Sequence, residues 1–290
     1  MVETPRSVLR KIMVAGLTAF GLTALGLILS GCQSTGSTDG KDPQAQTQSD
    51  PSPSTDDAAS GGSETGMGAT ATDGPVSSEA VDFIIAEEVG GRAIYEGRLG
   101  GRPHWDGGGS GILIGFGYNL GTVQPTDVRR VWGGVLSTDE VERLALVAGI
   151  RPSGVDRLVD RAKMEALADT VVDIQIAWDD AMTVFKETML PVRIGRVRSS
   201  LENTDALHPH SFGALVSLVY NRGATFGRSG DRFREMRAIK AHMANRDFTK
   251  IPGELRSMAR IWPTVPALQR RRAGEADLFQ KGLDAQSAGS

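Results

Sequence analysis

Two adjacent carboxylates, Glu87 and Glu88, stand just before a pair of glycines in SEAVDFIIAEEVGG, and their placement is the first in the chain that suits chemistry. Val81, Ile84, Ile85 and Glu88 recur at i, i+3, i+4 and i+7, so on a helix Glu88 lies in line with the apolar stripe. Glu87 points about 100° away, towards solvent. Burial favours the neutral form of a carboxylate, and a general acid at neutral pH must hold its proton. Glu88 is therefore a candidate proton donor. Its helix position alone also fits a plainer role, a structural acid paired with an arginine. Other chemistries find less support. His208 and His210 flank Pro209 with no acidic or cysteine partner at ligand spacing, so no metal site is expected. The serines and histidines lack a nucleophile-elbow context. The glycine run GGGSG at 107–111 has neither the lysine nor the following helix of a phosphate cradle, and no cofactor is expected.

The elements that must position Glu88 follow from local signals. Ser78 is a plausible N-cap, with Glu79 and Asp82 in the first turn, and Gly90 and Gly91 stop the helix. Residues 92–95 and 112–118 read as strands, separated by a turn-rich segment at 97–111. In the second strand Gly115 and Gly117 alternate with Ile114, Phe116 and Tyr118, which leaves one face nearly bare and implies a close approach to that backbone. Beyond it the pattern turns helical. Thr126 can cap a short helix through Trp132, and SerThrAspGlu at 137–140 has the spacing of a capping box for a helix to residue 147. Further helices are expected at 155–167 and at 171–189, the latter ended by Pro191. The stretch 212–221 is apolar almost all round and should be the buried centre. Helices at 233–243, 254–262 and 267–281 complete one α+β domain of about 210 residues, a small N-terminal sheet lobe joined to a mainly helical lobe.

EVGGRAIY at 88–95, followed by IGFGYNLG at 114–121, resembles the N-terminal lobe of phage-type lysozymes (glycoside hydrolase family 24) and the related pesticin-type muramidase domain. LVSLVYNRG at 215–223 is similar to the central helix of that family, and RRAGEADLF at 271–279 to its closing helix. The resemblance spans roughly residues 78–282 and implies a lysozyme-like fold, with Glu88 on the catalytic acid. It implies that Arg270 or Arg271 faces Glu88 and that Asn221 lines the cleft, although an Asn at a helix end equally suits a cap; as a charge run, 270–272 reads for the most part as a solvated face. Two family groups are replaced. Leu113 stands where a threonine orders the attacking water, and Asn119 where pesticin-type members carry an aspartate. Asp106 lies near the aspartate position of the phage enzymes and is the candidate base, about 6.5 to 9.5 Å from Glu88 if the reaction inverts. Asn119, Asn221, Tyr118 and Trp105 form the candidate substrate-binding set. Trp178 and Trp262 are weaker platforms for sugar rings, Trp178 because it sits on an apolar helical face.

The first third of the chain reads differently. Arg6, Arg10 and Lys11 precede an apolar run at 12–29 that ends in LeuSerGlyCys, the form of a secretory signal over residues 1–31. Cys32 is the sole cysteine, so no internal disulfide can form, and its context resembles a bacterial lipobox in which it would carry the lipid. Residues 32–76 are Ser, Thr, Gly, Asp, Gln and Pro with little apolar content, a disordered tether spanning on the order of 35 Å as a flexible coil. The domain then runs over 77–290. Net charge is −3 with no basic block interleaved with aromatics, which argues against nucleic acid as a partner. The expected partners are peptidoglycan and, through lipid on Cys32, a membrane. Gln33 after the cysteine favours the outer membrane facing the periplasm, and the protein is expected to act as a monomer. Two functions follow. One is a muramidase-like hydrolase of the glycan strands. The alternative is a lysozyme-like peptidoglycan-binding lipoprotein that lost its chemistry with the changes at Leu113 and Asn119. A bacteriocin-like toxin fits less well, because a lipid anchor would retain it.

Overall fold

The computed structural model describes residues 74–99 and 101–289. The expected leader, Cys32 and the expected tether up to residue 73 lie outside the described residues. What is described is mainly helical with one two-stranded antiparallel sheet, the coarse α+β pattern.

Helix α1 (Ser78–Val89) buries Ala80, Val81, Ile84, Ile85 and Val89 on one face. Its cap is Ser77 rather than Ser78. Ser77 keeps extended backbone while its Oγ accepts from Ala80 N at 3.2 Å, one residue earlier than the spacing suggests. The same hydroxyl lies 2.7 Å from His210 Nδ1. Gly90 ends α1 as expected, at φ +75°, with its N–H bonded to Ala86 O.

The strand expected at 92–95 is instead a helical turn, α2 (Arg92–Ile94), that runs into a π-helical turn at Tyr95–Leu99. Packing overrides the strand preference of Ile94 and Tyr95. The Tyr95 ring meets Phe116 and Trp178 edge-on at 5.3 and 5.6 Å, and its hydroxyl donates to Ile176 O at 3.0 Å. Arg92 and Glu96 pair at the i, i+4 spacing of a helix, 2.8 Å apart.

The single strand expected at 112–118 is a hairpin. Strand β1 (Leu113–Ile114) pairs with β2 (Tyr118–Asn119), Leu113 opposite Asn119 and Ile114 opposite Tyr118. Gly115 and Gly117 sit at φ +54° and +86°, where only glycine is free of strain, and they turn the chain between the strands. The close approach to this backbone is internal. A Cβ on Gly115 would lie 2.8 Å from the Trp132 ring. His104 bridges to Leu113 on the hairpin's outer edge.

Helix α3 (Pro125–Trp132) starts from Gln124, whose N–H bonds to Asp127 Oδ2 at 3.0 Å, and not from Thr126. The capping box on α4 (Thr138–Leu146) forms as expected between Ser137 and Glu140. Helix α5 (Arg157–Asp169) is capped by Asp156. Residues 171–177 are not helical, and the helix expected there begins only at α6 (Trp178–Val184). Nor does Pro191 end it. A π turn at Phe185–Met189, in which Leu190 N–H reaches back five residues to Phe185 O, precedes the proline and lets the chain continue as α7 (Leu190–Ser200).

Helix α8 (Pro209–Arg222) is the buried centre, with every residue from Ser211 to Val219 out of solvent. Helices α1 and α7 pack against it, as does the long α11 (Pro266–Ala288), while α9 (Arg234–Ala244) packs on α10 (Ile251–Ser257) and α10 on α11. Two glycines bring α8 close to its neighbours. A Cβ on Gly213 would stand 2.3 Å from Ala80 of α1, and one on Gly282 of α11 would stand 2.1 Å from Ser211 Oγ. Ser211 uses that proximity to donate to Phe279 O at 2.7 Å.

Candidate active site

Helices α1, α8 and α11 converge at Glu88. The last turn of α1 places Glu88 half-buried, its side chain 22 % exposed, and Arg271 of α11 puts Nη1 2.7 Å from Glu88 Oε1. Oε1 is buried and has no aligned hydrogen-bond donor, so the contact is an ion pair by proximity. The side chain's exposure therefore lies on atoms other than Oε1.

Arg271 is held from behind. Its Nη2 donates to Ser217 O at 3.3 Å, and its Nε lies 3.4 Å from Glu275 Oε1. Glu275, fully buried, also accepts from Ser217 Oγ and from Arg272 Nη2, each at 2.8 Å. Arg272 in turn donates to Asn221 Oδ1 at 3.1 Å. Two carboxylates and two guanidiniums thus alternate beneath the last turn of α1. Burial opposes charge on Arg271, but Glu88 and Glu275 more than offset it and raise its pKa. For Arg272 burial prevails over Glu275 and lowers the pKa to about 10, which still leaves it charged at neutral pH.

The arginine run is therefore not mostly a solvated face. Arg270 is exposed, Arg271 faces Glu88, and Arg272 is buried without a role expected from its position. The helical period explains the split, since residues 271, 272 and 275 share the side of α11 turned to α8. Asn221 spends its carboxamide oxygen on Arg272 and so anchors the network from the end of α8.

The other expected residues lie on the hairpin and its loop. Asp106 is exposed, and its Oδ1 accepts from Gly108 N at 2.8 Å, an Asx-type turn within its own loop. It shares no hydrogen-bonding partner with Glu88. Asn119 Oδ1 accepts from Gly111 N at 3.0 Å and Gly121 N at 2.9 Å, stitching the segments on either side of the hairpin. Tyr118 packs edge-on to Trp132 at 5.7 Å, and burial pushes its phenol up to about 12. Trp105 is half-buried and donates Nε1–H to Ser110 O at 3.1 Å. Trp178 stacks among Tyr95 and Phe116 as part of the core. Trp262 is 8 % exposed, with the guanidiniums of Arg222 and Arg272 over its ring at 5.0 and 5.8 Å. Leu113 is half-buried on β1.

Sequence reasoning gave no site role to Ser217, Arg272 or Glu275, which build the network, nor to Tyr220. Tyr220, next to Asn221 on α8, donates to Phe116 O at 3.2 Å and ties the hairpin turn to the central helix. Burial raises its pKa, and the charge of Glu88 raises it further. Its place at the end of a run of buried helix was the available signal. Glu87 is open to solvent yet close enough to Arg271, Glu275 and Glu88 to feel each of them. Its pKa is raised, first by the partial desolvation that the surrounding protein imposes on a side chain still in contact with water, with Arg271 acting in the opposite sense. The doubled carboxylate before Gly90 marked it in the sequence, but helix angle alone turned it away.

Among the described residues no group of three or more His, Cys, Asp or Glu side chains is arranged to hold a metal ion, and no helix is long and apolar enough to cross a membrane. No protein-family model matches the chain, and no curated protein matches it in sequence.

Proposed function

We propose that this chain is an envelope lipoprotein, lipid-anchored at Cys32 on an outer membrane, whose lysozyme-like domain hydrolyses the glycan strands of peptidoglycan. The observation that carries this reading is the Glu88–Arg271 pair. The resemblance implies a catalytic acid at a helix end facing an arginine of the closing helix, and the half-buried Glu88 against Arg271 is such a pair, placed to reach a leaving glycosidic oxygen. The two partners come from EVGGRAIY and RRAGEADLF, the segments that carry the family resemblance. Arg271 fixes the carboxyl group from behind, and Glu275 and Ser217 fix Arg271. Asp106, on the exposed loop, is the residue to activate water from the opposite side of the sugar.

A second reading is supported by specific contacts. Asp106 is engaged in its own turn, the Asn119 oxygen is taken by two backbone amides, and Leu113 offers no hydroxyl to water. These favour a peptidoglycan-binding domain without turnover.

Incubation with purified peptidoglycan, scoring new reducing ends, separates the two. Hydrolysis requires release by the wild-type protein that disappears in Glu88→Gln, with Asp106→Asn lowering it on the order of 100-fold if Asp106 is the base. No release from wild type, with binding retained, would establish the non-catalytic reading.

A further inference from the structure

Basic side chains are concentrated in one stretch of the chain. Residues 222–260 hold ten Lys and Arg against four Asp and Glu, in a protein whose net charge is −3. Asp247 pairs with Lys250, and Glu254 faces His242. The other two acids, Asp231 and Glu235, stand at the loop that joins α8 to α9, and both are committed. Glu235, fully buried, meets Arg260 Nε at 2.6 Å and Arg234 Nη2 at 3.0 Å, while Asp231 meets Arg260 Nη1 at 2.5 Å and Arg234 Nη1 at 3.7 Å. Two arginines thus balance two carboxylates. Arg222, Arg228, Arg232 and Arg237 are left over, and among the described residues none of the four has a carboxylate within ion-pair distance.

Two of these four hold the loop. Arg237 donates through Nη1 to Arg228 O at 2.7 Å and to Gly230 O at 2.9 Å, and Arg222 donates through Nη2 to Arg232 O at 3.0 Å. The backbone is pinned at residues 228 and 232, whose own side chains are exposed. Arg222 and Arg228 both lie over the Phe233 ring, 5.6 and 5.7 Å from its centroid, so one ring gathers the two guanidiniums. Like charge is crowded here. Burial first, then Arg272 and Arg232, lower the pKa of Arg222 to about 10 against the opposing pull of Glu235 and Glu275, and it stays charged at neutral pH.

We propose that the loop between α8 and α9 is a binding site for a phosphate-bearing anion, which Arg228 and Arg232 meet with their guanidinium forks while Arg222 and Arg237 fix the backbone beneath them. The planar fork of an arginine matches two phosphate oxygens at once. A terminal phosphate carries nearly two negative charges and three acceptor oxygens, enough for two guanidiniums together, whereas a carboxylate brings a single charge. Other partners fit this loop less well. None of the exposed large hydrophobic side chains belongs to residues 222–260, so nothing here would enter an acyl layer. Phe226 is buried and the Phe233 ring is covered by two guanidiniums, so neither is free to stack on a nucleic-acid base. The site does not involve Glu88 and stands whether or not the protein cleaves glycan.

Titration calorimetry of the full chain with inorganic tripolyphosphate, and with citrate as the carboxylate counterpart, tests this, while hydrogen exchange over residues 223–237 gives the location. Tripolyphosphate should bind about tenfold more tightly than citrate or better, and should slow exchange in the loop. Arg228→Glu with Arg232→Glu should weaken binding about tenfold or more, whereas Arg157→Glu with Lys163→Glu, the same change in net charge on α5, should leave it within about twofold. Arg228→Lys with Arg232→Lys keeps the charge, loses the fork and should weaken binding about threefold or more. Exchange in α8 should be the same in every variant. The proposal is overturned by no binding of tripolyphosphate, by citrate binding as tightly, by equal losses in the two charge-reversed variants, by full affinity in the lysine variant, or by protection confined to residues outside the loop.

Discussion

Replacing Glu275 with glutamine removes one of the two negative charges beneath α1 without changing the side chain's shape. In the native network Glu275 Oε1 lies 2.8 Å from Arg272 Nη2 and 3.4 Å from Arg271 Nε, and both arginines are almost wholly withdrawn from water, at 0 % and 3 % exposure. The variant leaves two buried guanidiniums with Glu88 and the more exposed Glu87 as their remaining counter-charges. Breaking a buried pair by removing one partner costs about 3–5 kcal/mol. With a urea slope of about 2–3 kcal/mol/M, the unfolding midpoint should fall by roughly 1–2.5 M. Equilibrium urea unfolding at neutral pH, followed by far-ultraviolet circular dichroism, measures this directly. A companion variant, Glu275→Leu with Arg272→Met, removes charge in a matched pair and should recover at least half of the loss, since apolar replacement of a buried pair is often neutral. A midpoint within about 0.3 M of wild type for Glu275→Gln alone would refute the reasoning, because it would mean the arginines find solvent or another anion.

Two more outcomes follow from the geometry. The folded-state pKa of Glu87 is raised above the ordinary glutamate value of about 4.5, so the unfolded chain loses that proton first as pH rises and the contribution of this group to stability falls from about pH 4.5 upwards. Glu87→Gln should therefore be more stable than wild type at neutral pH and equal to it below pH 4.5, a difference that thermal unfolding across pH reads out. Gly115→Ala combines a positive φ with a Cβ 2.8 Å from the Trp132 ring and should cost about 2–4 kcal/mol, whereas Gly117→Ala meets open space and should cost about 1 kcal/mol, both read from thermal unfolding.

Periodicity alone was enough to turn Glu88 inward, to mark α8 as the centre and to place the Ser137–Glu140 box, because each is decided within one or two turns of a single helix. The same local information could not tell Arg271 from its neighbours. Which of three consecutive arginines meets Glu88 depends on how α11 is rotated against α8, and Ser217, Glu275 and the close crossing at Gly282 set that rotation. Around the hairpin the strand reading failed for a related reason. Glycine carries little backbone preference, so the contacts of Tyr95, Phe116 and Trp132 decided whether 92–99 coiled and whether 112–119 folded back. Pro191 read as a stop because its effect was judged against an α-helical register, and the π turn before it changed that register. The chain's own pattern determined which side of each helix is apolar. The pairs of Glu275 with Arg271 and Arg272 lie within α11 and follow from its spacing, but which of them meets Glu88, Ser217 or Asn221 was decided by tertiary packing, since those partners come from α1 and α8.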